Sequence, residues 1–104
     1  FDPGERWEYG IDIDWVGKMV EAASGKRLGD YSRQNIFESL GMNSTGFKIS
    51  DNMRSRLAST HFRGEDVELT VFPIEIPQDP ESEMGGGGLY STVQDYLQFF
   101  RIRK

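Results

Sequence analysis

Asp12-Ile13-Asp14-Trp15-Val16-Gly17-Lys18-Met19-Val20-Glu21-Ala22-Ala23-Ser24-Gly25 is the stretch whose reading decides the architecture. Trp15, Val16, Met19, Val20 and Ala23 recur at three- and four-residue steps, which predicts a helix with these residues on one apolar face. Asp12 or Asp14 can cap its N-terminus, where a carboxylate meets unpaired amides and the positive end of the dipole. Gly25 ends it, because glycine takes the left-handed conformation at little cost. Beyond it, Tyr31, Ile36, Phe37 and Leu40 form a weaker stripe that predicts a second helix over Gly29 to Leu40, stopped by Gly41. Two helices joined by a short glycine-containing link predict an antiparallel pair.

Working outward, Phe1-Asp2-Pro3-Gly4-Glu5-Arg6 reads as a turn leading through Trp7 to Tyr9 into the first helix. On the other side, Ser50 or Asp51 caps a short third helix that ends near Ser59. The period then changes. His61 to Arg63 and Val67 to Phe72 flank Gly64-Glu65-Asp66, the pattern of a β-hairpin with a three-residue loop. Val67, Leu69 and Val71 alternate with polar or small residues, as in a strand with one buried face. Pro73, Pro77 and Pro80 forbid a continuous helix and predict an extended surface loop. After Gly85 to Gly88, Ser91-Thr92-Val93-Gln94 is a capping box for a last helix. The expected fold class is mainly α (α+β), helical with one small β-hairpin, in a single unit over 1–104.

Composition narrows the function. Hydrophobic residues are 37% and charged residues 28% of 104, a soluble mixture with a modest supply of core. Asp and Glu number 17 against 12 Lys and Arg, a net charge of -5. Nucleic-acid binding is set aside, since a cationic surplus is what displaces counterions from phosphates. The basic end from Arg101 to Lys104 reads as a solvated terminus. There is no cysteine, which removes disulfides, thiolate metal sites and Cys nucleophiles. No apolar run approaches the roughly 20 residues of a membrane helix, so no membrane partner is expected. The chain opens on Phe1 rather than Met, and Tyr96, Leu97, Phe99 and Phe100 crowd the C-terminus. The expectation is an internal piece of a longer protein.

The reactive residues are sparse. Ser-x-x-Lys, which sets an amine one helical turn from a nucleophilic hydroxyl, is absent: Trp15, Ala23, Thr45 and Arg101 precede Lys18, Lys26, Lys48 and Lys104 by three. Gly-x-Ser-x-Gly is absent as well. His61 is the single histidine and reads as a strand residue without a carboxylate partner; one His without Cys makes no zinc site, and no metal or cofactor is expected. Asp12 with Asp14, and Glu81 with Glu83, are paired carboxylates without calcium-loop spacing, and Asp79 to Glu83 reads as solvated loop charge. The glycine run lacks both a following Lys and GxGxxG spacing, so on its own it is a hinge or a close backbone approach. Tyr9, at the entrance of the first helix, can move a proton where a neighbouring ammonium favours the phenolate; as a local feature alone it is a packing residue.

Several separated motifs nevertheless agree. Pro3-Gly4-Glu5-Arg6-Trp7-Glu8-Tyr9, Ala23-Ser24-Gly25-Lys26 with Leu28, Ile36-Phe37-Glu38-Ser39-Leu40-Gly41-Met42-Asn43-Ser44-Thr45-Gly46-Phe47, and Gly86-Gly87-Gly88-Leu89-Tyr90-Ser91-Thr92-Val93-Gln94-Asp95-Tyr96 stand in family order and span nearly the whole chain. In this the chain resembles serine β-lactamase-like and penicillin-binding proteins, with a leaning toward the family VIII carboxylesterases described as 1,4-butanediol diacrylate esterases. The resemblance implies a parent in which a Ser-x-x-Lys serine attacks an ester or lactam carbonyl and forms an acyl-enzyme. Tyr9 matches the family's catalytic tyrosine, and Gly86, Gly87 and Gly88 would lie near the substrate cleft. The nucleophile motif and the third, strand-borne motif would stand outside this chain, and the parent's sheet would be missing. Ile11 occupies the position where lactamases carry Asn, which tilts toward esters, and Ser39 replaces a usual proline.

These readings predict a piece of a serine hydrolase, inactive alone, whose parent acts on small esters or β-lactams. Its setting is expected to be cytoplasmic, with the periplasm open for the parent. The rival is a self-standing interaction module that forms homo-oligomers through a former interface. A weaker third reading is residual esterase activity from Tyr9 or His61 in a new arrangement.

Overall fold

The computed structural model describes residues 1–102; Arg103 and Lys104, part of the basic end, lie outside the described residues. Helix α1 (Asp12–Ser24) leads to α2 (Leu28–Ser32), which runs directly into a π-helical turn, Arg33–Phe37. Then come α3 (Asp51–Arg54), strands β1 (His61–Arg63) and β2 (Leu69–Val71), and α4 (Val93–Phe100). The described elements are mainly helical with one two-stranded antiparallel sheet, as expected.

Helix α1 ends as its sequence requires, with Gly25 left-handed at φ 67° and its N–H donating to the Glu21 carbonyl at 2.9 Å. Its start differs from the expectation. The residue before it is Ile11, and neither Asp12 nor Asp14 caps it. The predicted second helix is divided: beyond Ser32 the hydrogen bonds lengthen by a residue, so that the Glu38 N–H reaches the Arg33 carbonyl at 3.0 Å. The chain then turns at Gly41, φ 66°. Ser50 caps α3, accepting from the Met53 N–H at 3.2 Å, and the helix stops at Arg54, short of the expected Ser59. At α4 the cap is Thr92, one residue beyond Ser91: its hydroxyl accepts from the Asp95 N–H at 3.2 Å.

The hairpin pairs His61 with Val71 and Arg63 with Leu69. The Gly64 N–H adds a further rung to the Glu68 carbonyl at 3.0 Å, so the loop is Glu65-Asp66-Val67, one residue later than predicted. Val67 closes it with φ 68°, a conformation that a β-branched residue adopts at a cost. The predicted buried face is not formed, because Val67, Leu69 and Val71 are all exposed.

Burial on α1 does not follow its apolar stripe. Gly17 is buried and Asp14, Lys18, Val20, Glu21 and Ser24 are half-buried, while Trp15 and Met19 remain 66% and 70% exposed. At Gly17 a side chain would be crowded: a Cβ would stand 3.0 Å from Leu28 Cδ2 and 3.1 Å from the Gly85 nitrogen. The buried hydrophobic residues are Phe37, Met42 and Phe47. The solvent-accessible surface is 8651 Å², where a compact monomer of this mass has about 5,900 Å². The Cα radius of gyration is 16.9 Å, against about 13 Å for a compact domain of this length. Among the described residues no helix is long and apolar enough to cross a membrane.

Candidate functional site

The glycine run is held where four segments meet, and backbone amides received by carboxylates do most of the holding. Glu83, expected to be solvated, is buried at 6% exposure. Its Oε2 accepts the Gly29 N–H at the start of α2 at 2.6 Å, and its Oε1 faces Arg27 Nε at 3.4 Å. A buried carboxylate is tolerated when its lone pairs are filled in this way. Asp79, in the same acidic cluster, remains exposed and pairs with Lys48 at 3.3 Å.

Gly85 packs most tightly. A Cβ there would lie 2.2 Å from the Ile13 carbonyl oxygen, so only glycine allows the loop to touch the first turn of α1. At Gly86 a Cβ would meet Ile13 Cγ2 at 2.5 Å, and the Gly86 N–H donates to Asp14 Oδ1 at 2.7 Å. Gly87 stands in the open, with its nearest neighbour, Met84 Cε, at 3.8 Å from a built Cβ. Gly88 turns the chain with φ 83° against the Phe47 ring. The run is therefore a fixed close approach, one of the two local readings of its sequence.

After Gly88 the chain is tied to the Asn43–Phe47 loop. Gly46 and Tyr90 exchange backbone hydrogen bonds at 3.0 and 2.9 Å. Asp95, 8% exposed, accepts from the Ser44 N–H and the Thr45 hydroxyl, both at 2.8 Å through Oδ2. Two of the separated sequence motifs, 36–47 and 86–96, thus meet in space. Asp95 of the second receives the Ser44 N–H and the Thr45 hydroxyl of the first. An open, largely apolar groove of about 460 Å³ runs beside the glycine run, lined by Ile13, Val16, Val20, Leu28, Phe47 and Met84 among others.

Tyr9 stands three residues before α1 and is 80% exposed. Its ring meets Trp7 edge-on at 6.3 Å. Among the described residues no ammonium or guanidinium is hydrogen-bonded to its hydroxyl. Tyr9 precedes by three residues the helix whose first turn, at Ile13 and Asp14, touches Gly85 and Gly86. His61 lies exposed in β1, on the hairpin. No cluster of metal-binding side chains occurs among the described residues.

Elsewhere, charge is balanced in pairs. The Leu28 N–H, foremost, and then the Lys18 ammonium hold the Glu21 carboxyl below its ordinary range. The Arg54 guanidinium does the same to Glu75 through two hydrogen bonds of 2.8 and 3.0 Å.

The Beta-lactamase family model matches residues 1–104. This chain belongs to the beta-lactamase family. Within it, the chain is 35% identical over 101 residues to the monacolin J acid methylbutanoyltransferase of Aspergillus terreus, covering 93% of this chain and 24% of that protein. It is 30% identical over 107 residues to the lovastatin esterase of Penicillium rubens, covering 97% and 27%. The structure superposes on the LovD6 mutant of simvastatin synthase from Aspergillus terreus with a TM-score of 0.78 and 33% identity, over 94% of this chain and 25% of that one. This beta-lactamase family chain thus spans about a quarter of the length of the curated relatives it matches. Both acyltransferases and an esterase stand among those relatives.

Proposed function

We propose that this chain is the helical segment of a serine acyl hydrolase or acyltransferase, and that it does not turn over esters by itself. In the complete protein a serine from a Ser-x-x-Lys motif would attack a small ester, thioester or lactam carbonyl. Tyr9 would take the serine's proton and pass it to the leaving group, and in the second half it would take the proton of the attacking water or acceptor hydroxyl and return it to the serine oxygen. The outer backbone of the glycine run, Gly87 and Gly88 with Gly86 behind them, would border the acyl group. The observation that carries this reading is the meeting of the glycine run with the first turn of the helix that Tyr9 precedes. It is supported by the kinship to an acyltransferase and an esterase, matched over 93% and 97% of this chain. The large exposed apolar surface, including Trp15, Met19 and Phe100, fits a segment that other parts of a longer chain cover.

The test grafts these 104 residues in place of the matching quarter of the Aspergillus terreus simvastatin synthase. The graft is expected to hydrolyse p-nitrophenyl butyrate, and Tyr9→Phe is expected to lower its rate by about a hundredfold or more, the scale of a lost acid–base group. The isolated chain should show no turnover above buffer. Turnover by the isolated chain that disappears with Tyr9→Phe overturns the first claim, and a graft indifferent to Tyr9→Phe overturns the second.

The same exposed surface favours a second reading, in which the chain is a self-standing module that associates with its own copies. Sedimentation velocity separates the two: a mass that climbs with concentration supports self-association, and a constant monomer removes it.

A further inference from the structure

Asp14 sits in the first turn of α1, where an acidic side chain normally serves its own helix by meeting the unpaired amides. It does not do so here, since the residue preceding α1 is Ile11 and no side chain caps the helix. Its Oδ1 is instead directed to Gly86, 72 residues away along the chain, whose N–H it receives at 2.7 Å. Around that bond the surfaces are fitted: a Cβ on Gly85 would strike the Ile13 carbonyl oxygen at 2.2 Å, so the loop lies directly on the helix turn. On the far side Glu83 fixes the same loop to the start of α2 through the Gly29 N–H at 2.6 Å. The loop from Glu83 to Gly86 is therefore clamped at both ends by carboxylates, one borne by the loop and one by α1.

We infer that Asp14 is a positioning residue, whose hydrogen bond to Gly86 sets the glycine run in place relative to the helix entrance that carries Tyr9. The inference deepens the proposed function and rests on it for the importance of that spacing. The bond itself is a property of this chain and is measurable without any turnover. A carboxylate suits the task because a charge-assisted bond to a backbone N–H is shorter and stronger than a neutral one. With the helix left without a side-chain cap, the acid's hydrogen-bonding capacity goes to the loop.

The test is amide hydrogen exchange by NMR on the full chain, for wild type, Asp14→Asn and Asp14→Ala. The asparagine keeps an oxygen acceptor of the same reach without the charge, whereas alanine removes the acceptor. Gly86 should exchange slowest in wild type, faster in Asp14→Asn, and about tenfold or more faster in Asp14→Ala. The Met42 amide, bonded to the Phe37 carbonyl at 2.8 Å in the small core, reports the fold and should keep its protection throughout. The Tyr9 ring resonances should move in Asp14→Ala and return toward their wild-type positions in Asp14→Asn.

Equal Gly86 exchange in all three proteins overturns the inference. So does a loss of Met42 protection in step with Gly86 in both variants, which would make Asp14 a residue of the whole fold. Unmoved Tyr9 resonances in Asp14→Ala would show that the bond does not reach the tyrosine and would overturn the coupling. Failure of the graft to respond to Tyr9→Phe would remove the catalytic reading and leave the exchange results standing, so the two failures are distinguishable.

Discussion

Asp95 offers the sharpest energetic test. Its carboxylate is 8% exposed and receives two donors from the loop before Phe47, the Ser44 N–H and the Thr45 hydroxyl, each at 2.8 Å. A hydrogen bond to a charged group contributes about 1.5–3 kcal/mol. The Thr45 hydroxyl has a second partner in Ser91 Oγ at 2.8 Å, so it is not orphaned when the acid is removed. Asp95→Ala should then cost about 3 kcal/mol, mostly through the Ser44 amide. A domain of this length has about 5–15 kcal/mol in total, and one whose buried hydrophobics are Phe37, Met42 and Phe47 belongs at the low end. At about 4–8 °C per kcal/mol, the melting temperature should fall by roughly 12–24 °C. Asp95→Asn keeps one oxygen where both donors converge and should lose less than half as much. Thermal melts followed by circular dichroism, with urea titrations beside them, give both numbers. A melting temperature within about 3 °C of wild type for Asp95→Ala would refute the reasoning. So would an asparagine variant as damaged as the alanine one.

Three further outcomes are expected. Val67 holds φ 68° while 64% exposed, so Val67→Asn, which tolerates that conformation, should raise stability by about 0.5–1 kcal/mol in the same melts. Gly85→Ala drives a Cβ to 2.2 Å from the Ile13 carbonyl oxygen and should cost about 1–3 kcal/mol. Gly87→Ala, whose nearest contact is 3.8 Å, should be close to neutral, and equal losses at the two glycines would contradict the close approach. Acid should loosen the α1–α2 turn through Glu21. Its folded carboxyl is held below the ordinary 4.5 by Leu28 and Lys18, so its contribution is complete above pH 4.5 and lost as pH falls through the lower folded value. Protection of the Leu28 amide, its rate set against the intrinsic rate at each pH, should fall over that acid window in wild type, and Glu21→Gln should remove that fall.

The local punctuation was legible in the sequence. Gly25 and Gly41 stop helical segments with positive φ, Ser50 caps α3, and the hairpin lies within one residue of its expected loop. Those features depend on a residue and its near neighbours. What was not legible were the long-range hydrogen bonds. Glu83 to Gly29, Asp95 to Ser44 and Asp14 to Gly86 join residues 54, 51 and 72 positions apart, each with a backbone amide as donor. Every residue but proline has such an amide, so composition and periodicity carry no trace of which one a carboxylate will receive. Which face of α1 packs was not legible, for a related reason. Periodicity marks its apolar stripe, but the side packed against Gly85 is the one without bulk, where Gly17 stands.

The exposure of that stripe bears on how the chain holds together. An ordinary domain buries its largest apolar side chains and lets charged groups face water. Here Trp15, Met19, Tyr96 and Phe100 face outward, while Glu83 and Asp95 are buried on backbone amides. The inner contacts are directional and fix the loops against the helices, so they can hold a geometry that a small apolar core would leave loose. The outer apolar surface contributes little to the isolated chain and is free to be covered by another part of a longer protein or by a second copy. Geometry and cohesion are thus divided between two faces of α1. The Asp14–Gly17–Glu21 face arranges the candidate site, and the Trp15–Met19 face is available to bind it to something larger. Substitutions on the first face should alter amide exchange near the glycine run, whereas polar substitutions at Trp15 and Met19 should alter association and leave that exchange unchanged.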